Sequence, residues 1–213
     1  MWERCQQCTR LDEILVATDD ERIMEAVLAF GGQAVMTSPE HPSGTDRIAE
    51  VIRSWPQATH IVNIQGDEPL IDPRLIDELA AVMVNDPALD MATAAHPLDP
   101  ADPAVLDPNV VKVVLTLDGR ALYFSRSPLP FFRHAVAGLP VLRHKGIYAY
   151  RRAFLERFVT WPPSPLELAE SLEQLRALEH GALIRVIPTG DTSPGVDPPE
   201  QAACIEALLS SHR

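Results

Sequence analysis

Gln65-Gly66-Asp67-Glu68-Pro69 follows directly on the apolar run His60–Ile64. An acidic pair there would stand at the carboxyl edge of a sheet, where open α/β folds bind their ligands. A hard cation such as Mg²⁺ needs few protein carboxylates, because substrate phosphates complete its shell. The plainer role is an acidic turn that caps the following loop. A second acidic motif, Gly195-Val196-Asp197-Pro198-Pro199-Glu200, precedes an apolar-periodic stretch. Asp197 can cap that helix or supply a second carboxylate that meets Asp67 at one metal.

Ser43-Gly44-Thr45-Asp46-Arg47 is a polar glycine turn that opens a helix. Its backbone N–H groups can meet an anion or a base edge, and Arg47 can reach a phosphate. It reads equally as an ordinary helix start with Thr45 or Asp46 as the cap. Three further groups mix apolar anchors with polar side chains able to bind a hydroxylated acid: Tyr123 to Arg126, Arg143 to Tyr148, and Glu173 to Arg176. On a helix over Leu166–His180 the core stripe is Leu168, Leu172 and Leu175, which leaves Glu173 and Gln174 on the solvated side.

The elements that must position these groups follow from periodicity. Strands are expected at Glu13–Thr18, Gln33–Thr37 and His60–Gln65. Helices are expected after the Asp19/Asp20 cap, with Ile23, Val27 and Phe30 inward, over Asp46–Trp55, and after Asp72 with Pro73 in the first turn. This β-α-β-α-β order predicts parallel strands covered by helices. The second half reads as a β-hairpin around Asp118-Gly119, a strand near Gly146–Tyr150, a helix over Arg152–Val159, the Leu166–His180 helix, a strand over Leu183–Ile187 and a last helix over Pro198–Leu209. Ala95–Pro108 reads as a Pro/Asp-rich connector. The whole is one α/β domain, residues 1–213, with an antiparallel insertion.

Bulk properties limit the partners. Net charge is -12, from 18 basic and 30 acidic side chains, which does not attract nucleic acid. No apolar stretch is long enough to insert in a bilayer, and Met1–Arg10 lacks a signal-peptide core. Three cysteines make no disulfide framework; Cys5 and Cys8 read as small helix residues, and the expected location is cytoplasmic. Basic charge is nearly all arginine, which favours bidentate contacts to phosphate or carboxylate.

The segments VATDDERI (from Val16), HPSGTDRIAE (from His41), VNIQGDEPLI (from Val62), PNVVKVV (from Pro108), ALYFSRSPLP (from Ala121), LRHKGIYAY (from Leu142), SPLELAESLEQLRAL (from Ser164) and GVDPPE (from Gly195) closely resemble, in order and spacing, the 3-deoxy-manno-octulosonate (Kdo) cytidylyltransferase family. That resemblance implies a nucleotide-diphospho-sugar transferase fold of GT-A-like, Rossmann-like type: a mixed sheet with helices on both faces and an antiparallel insertion lobe. It implies transfer of a cytidylyl group from CTP to Kdo, giving CMP-Kdo and pyrophosphate for lipopolysaccharide synthesis, with Mg²⁺ as cofactor and a homodimer as the assembly. Asp67 and Asp197 would hold the metal. Ser43, Gly44, Thr45, Arg47 and Gln65 would contact the nucleotide. His144, Tyr148, Glu173 and Gln174, joined by Arg126, would contact the sugar. A related acid sugar, 8-amino-Kdo or a sialic acid, is the neighbouring substrate class; a non-catalytic dimerising remnant is the contrasting one. The family also opens with a central strand and a loop of the type P-A-R-x-x-S-x-R-x-P-G-K-P that grips the triphosphate. The match begins after that segment, near Met1-Trp2-Glu3-Arg4, so a sheet without its first central strand and little CTP-dependent turnover are expected.

Overall fold

A computed structural model of the chain describes residues 1–66, 68–134 and 136–191. The sheet comes in two pieces. Strands β1 (Val16–Thr18) and β2 (Ala34–Met36) pair in parallel around helix α2 (Glu21–Ala29). The larger piece runs β6 (Ala121–Ser125), β5 (Lys112–Leu115), β7 (Val141–Arg151), β4 (Met91–Leu98), β8 (Ile184–Pro188), with β3 (His60–Asn63) also on β7. Among the described residues β1 pairs only with β2, and β3 only with β7, so each keeps an edge that no described strand joins.

The mixed character of the sheet holds: of the strands expected to run parallel in the first half, β1 and β2 pair so, while β3 pairs with neither among the described residues and lies antiparallel to β7 of the second half. β4 is parallel to β8 and antiparallel to β7. β4 itself was not expected. Its last four residues, Ala95–Leu98, fall in the stretch read as connector, and its first six are all buried. Ala92, Ala94 and Ala95 have weak strand propensity, and burial between two long neighbours overrides it. Only the short Pro103–Val105 turn within that stretch is helical.

The two faces of β4 sort the helices. Met91 and Ala95 pack with α3 (Gly44–Arg53), α5 (Arg152–Phe158) and α7 (Gln174–Glu179); Ala92 and Ala94 pack with α4 (Pro73–Asn85) and Cys5 of α1 (Trp2–Cys5). The helix starts follow their caps: Asp20 accepts from Arg22 N–H and Asp72 from Arg74 N–H. In α3 the cap is Ser43, not Thr45 or Asp46. Two readings are corrected. Only Val27 of α2 is buried, while Ile23 and Phe30 lie exposed, because the short β1–β2 pair covers a single ridge of that helix. The single Leu166–His180 helix is two, α6 (Pro165–Glu170) and α7, broken by Ser171 in the left-handed region at φ 51°. The break leaves Leu168 exposed and rotates Gln174 into the core. The predicted helix over Pro198–Leu209 lies outside the described residues.

Candidate active site

The site builds on the face of β3 and β7 that looks toward α3 and α7. On β3, Val62 and Ile64 pack on the α4 side and Ile61 on the other, so strand alternation puts Asn63 and Gln65 with Ile61. The amide of Gln65 lies 3.4 Å from where a Cβ on Gly44 would stand, in van der Waals contact with the glycine turn. The N-terminus of α3, Gln65 and the ends of β1 and β2 thus meet at one rim.

Glu173 ties that rim to α7. Thr45 Oγ1 donates to its Oε2 at 2.5 Å, and Ser43 Oγ stands 3.0 Å from its Oε1. Ser43 is also 2.7 Å from Asp46 Oδ2, and its single proton serves only one of the two carboxylates. Burial raises the Glu173 pKa; bonds from Thr45 and Ser43 and the charge of Arg176 pull against that rise. Arg176, 8 % exposed, forks onto Glu167 at 2.8 and 2.6 Å and reaches Glu173 at 3.4 Å. Its guanidinium lies over the Phe158 ring at 4.7 Å and donates to the Trp161 carbonyl. Glu173 and Gln174, expected on a solvated face, are therefore drawn inward: the left-handed Ser171 turns the chain so that the carboxylate meets Ser43 and Thr45 and the amide is buried.

His144 and Tyr148 stand on β7 on the same face, ring centroids 5.4 Å apart, with Phe124 edge-on to His144 at 5.1 Å. Burial pushes the His144 pKa down to about 3, so the imidazole is neutral at neutral pH. Thr93 Oγ1 lies 2.7 Å from the Ile147 carbonyl and 2.9 Å from His144 Nε2. With the threonine proton on that carbonyl, His144 must donate through Nε2, which leaves Nδ1 as an acceptor for a hydroxyl. Burial raises the Tyr148 pKa, and the nearby Tyr150 and Glu173 add to the rise.

Two predicted contacts are engaged elsewhere. Arg47 donates to Thr37 Oγ1 at 2.5 Å and pairs with Asp19 at 2.8 Å, across the carboxyl ends of β1 and β2. Arg126 spends its guanidinium on three carbonyls, those of Glu170 (2.6 Å), Pro108 (3.0 Å) and Ser171 (3.3 Å), and so braces the α6–α7 corner. Asp67 and Asp197 lie outside the described residues. Among the described ones, no group of three or more His, Cys, Asp or Glu is placed to hold a metal. The buried ammonium of Lys145 stands 3.2 Å from Asp191 and 3.9 Å from Glu68, so those two half-buried carboxylates already face a cation. Sequence reasoning missed Thr93 and Asn63; a lone threonine inside an alanine-rich run, and an asparagine inside an Ile/Val run, are the signals that mark them.

A polar rim thus stands at the carboxyl edge of a mixed sheet with the buried His144–Tyr148 face beside it, on a fold of the Rossmann-like nucleotidyltransferase type. Residues 1–184 match a family model described as cytidylyltransferase. The 3-deoxy-manno-octulosonate cytidylyltransferase of Geobacter sulfurreducens is 51% identical over 209 residues, which is 93% of this chain and 83% of that relative. That of Myxococcus xanthus is 49% identical over 98% of this chain and 84% of its own. A solved structure of CMP:2-keto-3-deoxy-manno-octonic acid synthetase complexed with CTP superposes with a TM-score of 0.94 at 45% identity, covering 100% of this chain and 86% of that one. A 4-diphosphocytidyl-2C-methyl-D-erythritol synthase from Anaerococcus prevotii, TM-score 0.61 at 14% identity over 98% of this chain and 83% of its own, shares the fold alone. The chain belongs to the cytidylyltransferase family.

Proposed function

We propose that the protein transfers the cytidylyl group from CTP to Kdo, releasing pyrophosphate and forming CMP-Kdo for lipopolysaccharide synthesis. The observation that carries the reading is the match, over the whole chain, to a synthetase complexed with CTP. The site residues fit the division of labour. The Ser43–Thr45 turn and Gln65 form a compact polar rim suited to a cytidine nucleotide. His144 and Tyr148 with Glu173 near them, and the buried Gln174 next to Glu173 in the chain, would supply the drier contacts that suit a polyhydroxy acid. In such a transfer positioning does most of the work: the sugar hydroxyl must be held in line with the α-phosphate. Glu173 orients the Ser43 and Thr45 hydroxyls, and neutral His144 offers a hydrogen bond without adding charge.

Mg²⁺ belongs to the same proposal. Asp67 and Asp197 would hold it, and the ion would supply Lewis-acid polarisation of a phosphate oxygen. A cytoplasmic location accords with the free Cys5 and Cys8. A homodimer accords with the exposed Leu122 of β6 and the exposed Phe131.

Pyrophosphate release is the test, measured with CTP, Mg²⁺ and Kdo, then with chelator, and then with 8-amino-Kdo or a sialic acid in place of Kdo. Whatever release occurs, little or much, is expected to need both Kdo and Mg²⁺. Release with a sialic acid but not with Kdo would move the substrate assignment, and nucleotide-independent sugar binding without release would favour a binding remnant.

A further inference from the structure

Asn63 is a polar residue in a place that does not reward one. It is the last residue of β3, an element in which asparagine is disfavoured, and it is 4 % exposed. Its side-chain nitrogen Nδ2 has no hydrogen-bond partner. A buried amide donor left unpaired is costly, and native structures rarely keep one without a reason. A valine would fill this strand position with no such penalty.

Its position supplies the reason. Asn63 shares the face of β3 with Gln65, two residues on, while Val62 and Ile64 pack on the opposite side. Across the ladder it stands directly opposite Tyr148. Side chains so paired in an antiparallel sheet have their Cβ atoms about 5 Å apart. Tyr148 in turn touches His144 on one side and Tyr150 on the other. The orphan donor is thus buried between the Gln65 rim and the His144–Tyr148 pair of rings.

We infer that Asn63 is a further substrate-binding residue, whose side-chain amide donates a hydrogen bond to a hydroxyl or carboxylate oxygen of the acid sugar beside Tyr148. The inference rests on the Kdo reading above. An acid sugar is rich in acceptor oxygens, and binding one converts an unpaired buried donor into a paired one, so part of the sugar's affinity comes from relief of that penalty.

The test is calorimetric titration of Kdo, and separately of CTP, into the full chain and into Asn63→Leu, which keeps the branched shape at a larger volume and removes the donor. Asn63→Val, well suited to a strand, is the second variant should the leucine be misfolded. The expected result is a Kdo Kd at least tenfold weaker, a CTP Kd within twofold of the parent, and a melting temperature unchanged or raised. A merely structural amide, satisfied by a buried water, would give the reverse: a lowered melting temperature with the Kdo Kd unmoved, which overturns the assignment. A parent chain that binds CTP but takes up no Kdo overturns the acid-sugar reading and this inference together, whereas normal parent binding with an unchanged variant overturns the inference alone.

Discussion

Replacing Arg176 by methionine tests how the site is held. The guanidinium is almost fully buried, forks onto Glu167, reaches Glu173 and covers the Phe158 ring. Methionine fills much of the volume and keeps the apolar contact, but strands two carboxylates in a poorly hydrated place. Removing one partner of a buried pair costs about 3–5 kcal/mol. For a chain of this length, at about 2–4 °C per kcal/mol, the melting temperature should fall by roughly 10 °C. The loss should also depend on pH. The Glu173 pKa is raised by burial and restrained by Arg176. A carboxylate whose folded pKa exceeds its unfolded one favours folding below the unfolded value, and that advantage is lost as pH rises through the folded value. Without Arg176 the gap widens, so Arg176→Met should lose more stability at pH 7.5 than at pH 4.5. Adding Glu167→Leu should recover part of the loss, since a buried pair replaced by apolar groups is often neutral. Calorimetric melting of the parent and both variants at the two pH values decides it. A drop equal at both pH values, or below about 1 kcal/mol as for a surface pair, would refute the reasoning.

Lys112, fully buried, donates to the carbonyls of Asp107 (3.0 Å), Val110 (2.6 Å) and Arg126 (2.5 Å). Lys112→Met should destabilise by about 3 kcal/mol, the cost of orphaned buried acceptors, and hydrogen exchange should speed selectively across 107–110 and 126; uniform exchange would count against a local brace. His144 should show no titration by NMR between pH 5 and 9, its pKa lying near 3. Because that folded value is below the unfolded one of about 6.5, its contribution to stability is intact above pH 7 and declines as pH falls toward 3, and His144→Phe should flatten that limb of the acid-denaturation curve.

Helix starts were legible in the sequence because caps act locally: Asp20 and Asp72 announce their helices within a turn. The α4 core face was legible for the same kind of reason, since Leu75, Ile76, Leu79 and Met83 repeat at the helical period and are all buried, with Val82 at the margin. β4 was not legible, because its strand character comes from β7 and β8, which lie far along the chain. The inward turn of Glu173 hid for a related reason. A helical template carried through Ser171 puts the carboxylate outside, and only the left-handed residue, which no local pattern required, redirects it. The roles expected of the candidate site residues came from resemblance rather than periodicity; Thr93 shows why, since its place depends on where two strands slip past one another.

That slip has a consequence of its own. Thr93 faces Tyr148, yet its neighbour Ala94 faces Lys145, so β7 carries two surplus residues, Gly146 and Ile147, within the ladder. Four residues of regular strand would span about 13 Å, whereas the His144 and Tyr148 rings stand 5.4 Å apart. Two is also an even number. Side chains alternate faces, so an even surplus leaves His144 and Tyr148 on the same side, while an odd one would send one of them under α4. A change of length by one residue in this stretch should therefore be the more damaging kind: removing Gly146 alone would turn one of the two rings under α4, whereas removing Gly146 and Ile147 together would keep both rings on one side, at the cost of the buried Ile147 and of the carbonyl to which Thr93 donates.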